Sequence, residues 1–249
     1  MITRVLEIDL STLMNDEVIA LFAYVFLYLT YYFSSDFSFL KRYRVRYQET
    51  KDHFEQSVYL RRLIGFVLLG VIPFLIVLLF FGGGISNYGL GLPQGNDIFL
   101  WFLLPTVVVT LGSLLQSSKK IDNEYYPEVR EKTWTKKRTV NNILFWGLYL
   151  LGYEFAIRGF LFFASLYAFG LWPAIIINSV IYSLIHIFKG SKEAYGAFFL
   201  GVLFCLITYY TNSIWFAFLN HLILAVVNDI KAVKASPKSY FMLKKAKSE

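Results

Sequence analysis

Cysteine occurs once in 249 residues, at Cys205, so no disulfide framework can form. That thiol falls inside an apolar run and reads as a small buried side chain rather than a redox centre. Charge is also sparse, at 16% of residues, and it is segregated: of 24 Lys and Arg, seven lie between Lys41 and Arg62, seven between Lys119 and Arg138, and six between Lys231 and Lys247. A net charge of +7 would suit nucleic acid if it covered a polar surface, but clusters flanking long apolar runs mark cytoplasmic loops instead, and no nucleic-acid partner is expected. Before residue 18 the only basic side chain is Arg4, too little for the positive start of a cleavable signal, so the first apolar run is expected to be retained. No internal repeat, low-complexity segment or soluble-domain composition is present.

What is abundant is apolar surface. With 57% hydrophobic residues and a mean hydropathy of +0.52, the chain has more than one soluble domain of this size can bury, so the excess faces the lipid bilayer. Runs near the roughly 20 residues that cross a hydrocarbon core occur at 18–33, 63–81, 98–115, 143–169, 172–188, 195–210 and 213–228. They predict an all-α polytopic membrane helix bundle of about seven transmembrane helices, forming a single integral membrane domain over 1–249. The connections 34–62 and 116–142 are basic, 189–194 holds Lys189 and Lys192, and the tail is Lys-rich, whereas 82–97, 170–171 and 211–212 lack Lys and Arg. That alternation predicts a multi-pass protein, of the bacterial inner membrane, with its N-terminus outside and its C-terminus in the cytoplasm. Gly82, Gly83 and Gly84 should end the second helix, with Gly89 to Pro93 in an outer loop, and Gly159 is a place for the long fourth run to bend or break. Lys41, Arg42, Arg44 and Arg46 suit a surface helix on anionic headgroups, or simply a solvated charged face.

Tyr and Cys aside, the ionisable side chains inside the runs reduce to Glu154, Arg158, His186 and His221. Such groups cost several kcal/mol apiece in hydrocarbon unless they face the bundle interior and pair, so each is a functional candidate. Glu154 and Arg158 are one helical turn apart and can form an internal ion pair, whose blander role is to steady the helix. Asn178, Tyr182 and His186 form a polar stripe on the fifth run, which a hydrogen-bonded core histidine would also produce. On the last run His221 continues through Ala225 to Asn228, with Asn220 beside it, and a polar clamp between helices would account for both asparagines without chemistry. At about 1.5 Å per residue, Glu154 lies on the order of 18 Å from the cytoplasmic end of its helix, His221 roughly 13 Å, and His186 within a turn, so one cavity can hold all three. A carboxylate and two imidazoles suit two mechanisms: a Glu base with histidines steadying an oxyanion, or three ligands to a Zn-like metal. Spacing leaves both open, and no cofactor is required by either composition or pattern.

In these residues the sequence resembles the CPBP family (CAAX protease and bacteriocin-processing), which includes the type II CAAX prenyl endopeptidases. The resemblance covers about residues 142–229, a core carrying three motifs in order. The family's Glu-Glu-x-x-x-Arg corresponds to Tyr153-Glu154-Phe-Ala-Ile-Arg158, its Phe-x-x-x-His to Tyr182-Ser-Leu-Ile-His186, and its His-x-x-x-Asn to His221-Leu-Ile-Leu-Ala225. The resemblance implies an intramembrane endopeptidase with Glu154, His186 and His221 as catalytic residues and Arg158, Tyr153, Tyr182 and Asn228 in support. It also marks two departures. The Glu thought to activate water is Tyr153 here, and a phenol with a pKa of about 10 is a poor base; the Asn thought to complete the oxyanion site is Ala225. Glu154 could replace the missing base only if the helix turned, since neighbours on a helix point roughly 100° apart. Two functions are therefore expected from this site: an endopeptidase-like protein with a degenerate Glu/His/His centre acting on a peptide substrate, or a non-catalytic scaffold that uses the cavity for a partner helix, a peptide or a lipid.

The charge pattern yields a direct topological test. A cysteine placed at Asn87, in a background with Cys205 replaced, should react with a membrane-impermeant maleimide only from the outside; labelling only from the cytoplasmic side would invert the threading.

Overall fold

The computed structural model describes residues 15–37, 54–82, 84–115, 127–236 and 240–241. Within them lie six helices long and apolar enough to cross a bilayer: α1 (Asp16–Asp36), α2 (Glu55–Phe80), α3 (Ile98–Leu115), α4 (Lys136–Phe169), α6 (Ser191–Thr211) and α7 (Trp215–Ala235). A shorter apolar helix, α5 (Leu171–Leu184), completes the seven. The protein is an integral, multi-pass all-α bundle. Apart from the helices, β1 (Thr133–Trp134) pairs in parallel with β2 (Tyr240–Phe241), a two-residue contact beyond the bundle.

The bundle is arranged around α4. Of its apolar window 78% is buried, against 17 to 39% for the other five spans, so α4 is the one helix largely shielded from lipid by its neighbours. That position lets it carry charge. Glycine brings it close to α2: a Cβ on Gly70 would lie 2.9 Å from Gly152 Cα, and one on Gly152 would lie 3.0 Å from the Gly70 amide nitrogen. The two backbones therefore touch, as small residues permit in membranes. The same α2 contains a π-helical turn at Val67–Val71 immediately before Pro73, whose missing amide cannot continue the regular ladder.

Where the sequence suggests a bend or break at Gly159, α4 runs on unbroken and widens into a π-helix over Phe155–Leu161. The glycine has a different duty. A Cβ there would meet the Tyr88 carbonyl at 2.7 Å, so its absence admits the 3₁₀ turn Ile85–Tyr88 of the outer loop against the helix. Asn178 of α5 serves the π-helix too: its amide donates to the Ile157 carbonyl at 2.5 Å and its oxygen accepts from the Cys205 thiol at 3.1 Å. It thus belongs to the α4–α5–α6 seam rather than to a stripe shared with His186. Helix α5 also ends at Leu184, so His186 occupies the turn after it and not the helix.

Helices begin earlier than the apolar runs at the basic ends. Residues assigned by sequence to the 34–62 and 116–142 connections are helical here, from Glu55 in α2 and from Lys136 in α4, where the Thr135 hydroxyl accepts from the Arg138 amide at 3.2 Å. The basic segment with Lys41, Arg42, Arg44 and Arg46 lies outside the described residues. One consequence is that Arg62, read as a loop cation, is 1% exposed. Its guanidinium donates to Glu128 Oε2 at 3.2 and 3.0 Å and to Asn142 Oδ1 at 2.8 Å, and it lies 4.0 Å above the Trp146 ring. Asn142 and the Trp146 indole in turn donate to Asp229 Oδ2 at 2.8 and 2.7 Å. This network ties α2, α4, α7 and the segment before β1 together.

Replacing Arg62 by Leu leaves the Asn142 oxygens without their charged donor. We expect a loss of about 3 kcal/mol, read as a lower melting temperature in detergent. Glu128, whose side chain is 30% exposed, can be rehydrated, so Glu128→Gln should cost clearly less.

Candidate functional site

All seven helices contribute to the lining of a cavity of about 1050 Å³. Its inner wall is made by Tyr153 of α4, Tyr182 of α5, His186 just beyond α5, and His221 and Ala225 of α7. Glu154 and Arg158 are not part of that wall. Both are 0% exposed and lie behind it, because the position of α4 that faces the cavity is taken by Tyr153.

Glu154 is held from two sides. The ring nitrogen Nδ1 of His221 lies 2.5 Å from its Oε1, and Arg158 Nη1 lies 3.5 Å from its Oε2. Arg158 has no hydrogen-bonded acceptor among the described residues, so its charge is met by Glu154 and by the faces of two rings, Tyr182 at 4.2 Å and Phe204 at 5.6 Å. The expected one-turn ion pair is therefore present as geometry, and the second histidine of the chain's membrane-embedded set is attached to it. His221, 14% exposed, connects this buried pair to the cavity.

His186 is anchored differently. Its Nδ1 lies 2.7 Å from the Tyr182 carbonyl, which can only accept, so Nδ1 carries the proton. A neutral His186 consequently has a bare Nε2, the nitrogen able to take a proton. For His221 a proton on Nδ1 likewise satisfies the Glu154 carboxylate and leaves Nε2 as the atom uncommitted to the protein. Tyr182 packs against both rings, at 4.7 Å from His186 and 6.3 Å from His221, and spaces them. Tyr153 sits 5.8 Å from His221 edge to face, and its hydroxyl has no hydrogen-bond partner among the described residues.

Among the described residues no group of three His, Cys, Asp or Glu is placed to hold a metal ion. The Glu154, His186 and His221 set does not fit a Zn-like ion, because Glu154 is 0% exposed behind the wall with its oxygens engaged by His221 and Arg158, which leaves only the two Nε2 atoms as ligands. Asn228 lines the cavity one turn beyond Ala225, but its amide oxygen accepts from Ser113 of α3 at 2.7 Å, so it also clamps α7 to α3. Asn220 stays within its helix, donating to the Phe216 carbonyl at 2.8 Å. Arg61, Arg62, Trp146 and Tyr149, which line the outer part of the cavity, do not stand out in the sequence; the extension of α2 past its apolar run brings the two arginines there, and the two aromatics lie within the fourth run.

Removing Arg158 exposes the weakness of this arrangement. Arg158→Ala leaves a buried carboxylate with only His221 beside it and should cost about 3 to 5 kcal/mol. Wild-type thermal stability of that variant in detergent at neutral pH would show that the two charges are not buried together.

Residues 135–227 match the family model of type II CAAX prenyl endopeptidase Rce1-like proteins. No curated protein and no solved structure matches the chain. The matched segment begins at the Thr135 cap of α4 and ends at Val227 in α7, so it takes in every residue of the inner wall and the buried pair behind it. By that segment the chain is a CAAX-protease-like multi-pass membrane protein.

Proposed function

We propose that the protein is an endopeptidase-like CPBP member with a degenerate centre, in which residues 142–229 keep the family core and the cavity binds a peptide or lipid while hydrolysis is at most slow. The observation that carries this reading is the burial of Glu154. The site's one carboxylate is 0% exposed and engaged by His221 and Arg158, and the cavity-facing position beside it is a tyrosine. A general base contributes roughly 10² to 10⁴ in rate, and an oxyanion donor, lost where Ala225 stands, about 10² to 10³. In this reading Glu154, His186 and His221 are the remnant of a catalytic set, with Arg158, Tyr153, Tyr182 and Asn228 shaping it. This reading puts the cavity mouth towards the cytoplasm and the N-terminus outside, in a bacterial inner membrane, and the clustering of basic residues in alternate connections supports that orientation.

A second reading has one specific support, the fixed Nδ1 protons of the two histidines. His186 Nε2 would take a proton from water as the hydroxide adds to a peptide carbonyl. His221 in its imidazolium form, its Nδ1–H held by the Glu154 carboxylate, would hydrogen-bond its Nε2–H to the oxyanion, and the proton that His186 took from water would pass to the departing amine as the C–N bond breaks.

Cleavage of a prenylated CAAX-type peptide by purified protein separates the two. The degenerate centre predicts little or no turnover, raised by the double change Tyr153→Glu with Ala225→Asn. Brisk wild-type turnover abolished by His186→Ala, His221→Ala or Glu154→Gln would overturn it in favour of the histidine mechanism.

A further inference from the structure

Away from the inner wall, the cavity has a second chemical character. Its lining includes five Lys and Arg against two Glu among the described residues. Most of these charges are accounted for, Arg62 by Glu128 and Asn142 in particular. Arg61 is not. It is half-buried, makes no ion pair with the described residues, and its Nε is buried without a hydrogen-bond partner. Its guanidinium lies 5.6 Å over the Tyr31 ring, and the phenols of Tyr31, Tyr149 and Tyr28 are its electrostatic neighbours. Glu128 is also near, but its Oε2 is committed to Arg62 through two hydrogen bonds.

A partly desolvated guanidinium with unused donors, ringed by hydroxyl groups, is a receptor for one carboxylate, whose two oxygens match the fork. From this end the cavity continues along apolar walls: Val108 of α3, Leu200 and Leu203 of α6, and Leu224 of α7. Phe199, which also lines it, is 70% exposed, and Val108 is 55% exposed, so this wall borders the lipid-facing surface. At about 1050 Å³ the space is at the upper end of small-molecule sites, commonly about 300 to 1,000 Å³.

The geometry points to a binding site for a fatty-acyl carboxylate, its headgroup on Arg61 and the tyrosine hydroxyls and its chain along the α3–α6–α7 wall, entering from the bilayer. One unpaired cation balances one negative charge, which favours a carboxylate over a doubly charged phosphate monoester. The site stands independently of the hydrolytic or scaffold reading, because it uses none of Glu154, His186 and His221.

Trp146 is the tryptophan among the described lining residues, so brominated palmitate provides both ligand and quencher. Titrated into the purified full chain in detergent, it should quench tryptophan fluorescence saturably, while its methyl ester should not. Arg61→Gln should weaken binding about tenfold to a hundredfold. Should that variant fail to fold, Arg61→Lys, which keeps the charge but not the fork, should bind more weakly at unchanged melting temperature. Equal binding of the ester, wild-type affinity in the folded variants, or quenching that survives in Trp146→Phe would each overturn the site. Saturation by a brominated alkyl phosphate but not by the fatty acid would overturn the carboxylate assignment in favour of a phosphate-headed lipid.

Discussion

The bundle depends on hiding one ion pair from lipid. Glu154 and Arg158 are 0% exposed at the middle of α4, and neither could be placed there on a helix facing hydrocarbon. The requirement propagates outward. Helix α4 must be enclosed, which gives it its 78% buried window, and enclosure at backbone distance demands glycine at Gly70 and Gly152. The π-helix over Phe155–Leu161 spans Arg158 itself, and the carbonyl of Ile157 within it is met by Asn178 from α5. Insertions of this kind are common at functional sites, because they aim side chains that a regular helix would not.

A second polar layer lies nearer the basic ends, where Arg62, Glu128, Asn142, Trp146 and Asp229 join α2, α4 and α7. The two layers solve different problems. The inner one pairs charges with each other and with ring faces in a dry setting, whereas the outer one spreads a single guanidinium over several acceptors, one of them on a side chain 30% exposed. Between them the cavity lies open, walled by tyrosines, with a histidine linked to the inner layer and an arginine beside the outer one.

The seven helices are legible in the sequence because an apolar run of membrane length is seldom anything but a span. Glu154, Arg158, His186 and His221 stand out because ionisable groups are so rare inside those runs. The same reasoning does not reach Arg62 or Asp229. Both lie at the ends of apolar runs among many other charges, and nothing in their spacing separates a buried network from a solvated loop. Helix ends are blurred for the same reason: α2 and α4 continue past the hydrocarbon on polar residues, as membrane helices do when flanking side chains reach the interface. Which of Tyr153 and Glu154 faces the cavity is beyond periodicity as well, since neighbours differ by about 100° and the rotation of α4 is fixed only by packing.

That rotation decides what the substitution at Tyr153 means. A carboxylate at this position would face the cavity immediately beside Glu154, and two neighbouring acids would compete for the buried guanidinium of Arg158. Tyr153 removes the second negative charge and leaves Arg158 to Glu154 alone, with the phenol packed against His221. The inner wall then presents rings and imidazoles instead of an acid, while the outer end keeps its excess of basic side chains. A cavity with a tyrosine at this position lacks a carboxylate that could activate water there and, equally, one that would repel an acidic ligand. On the proposed readings the same tyrosine would account for weak hydrolysis and would spare a carboxylate held at Arg61 a repulsive neighbour.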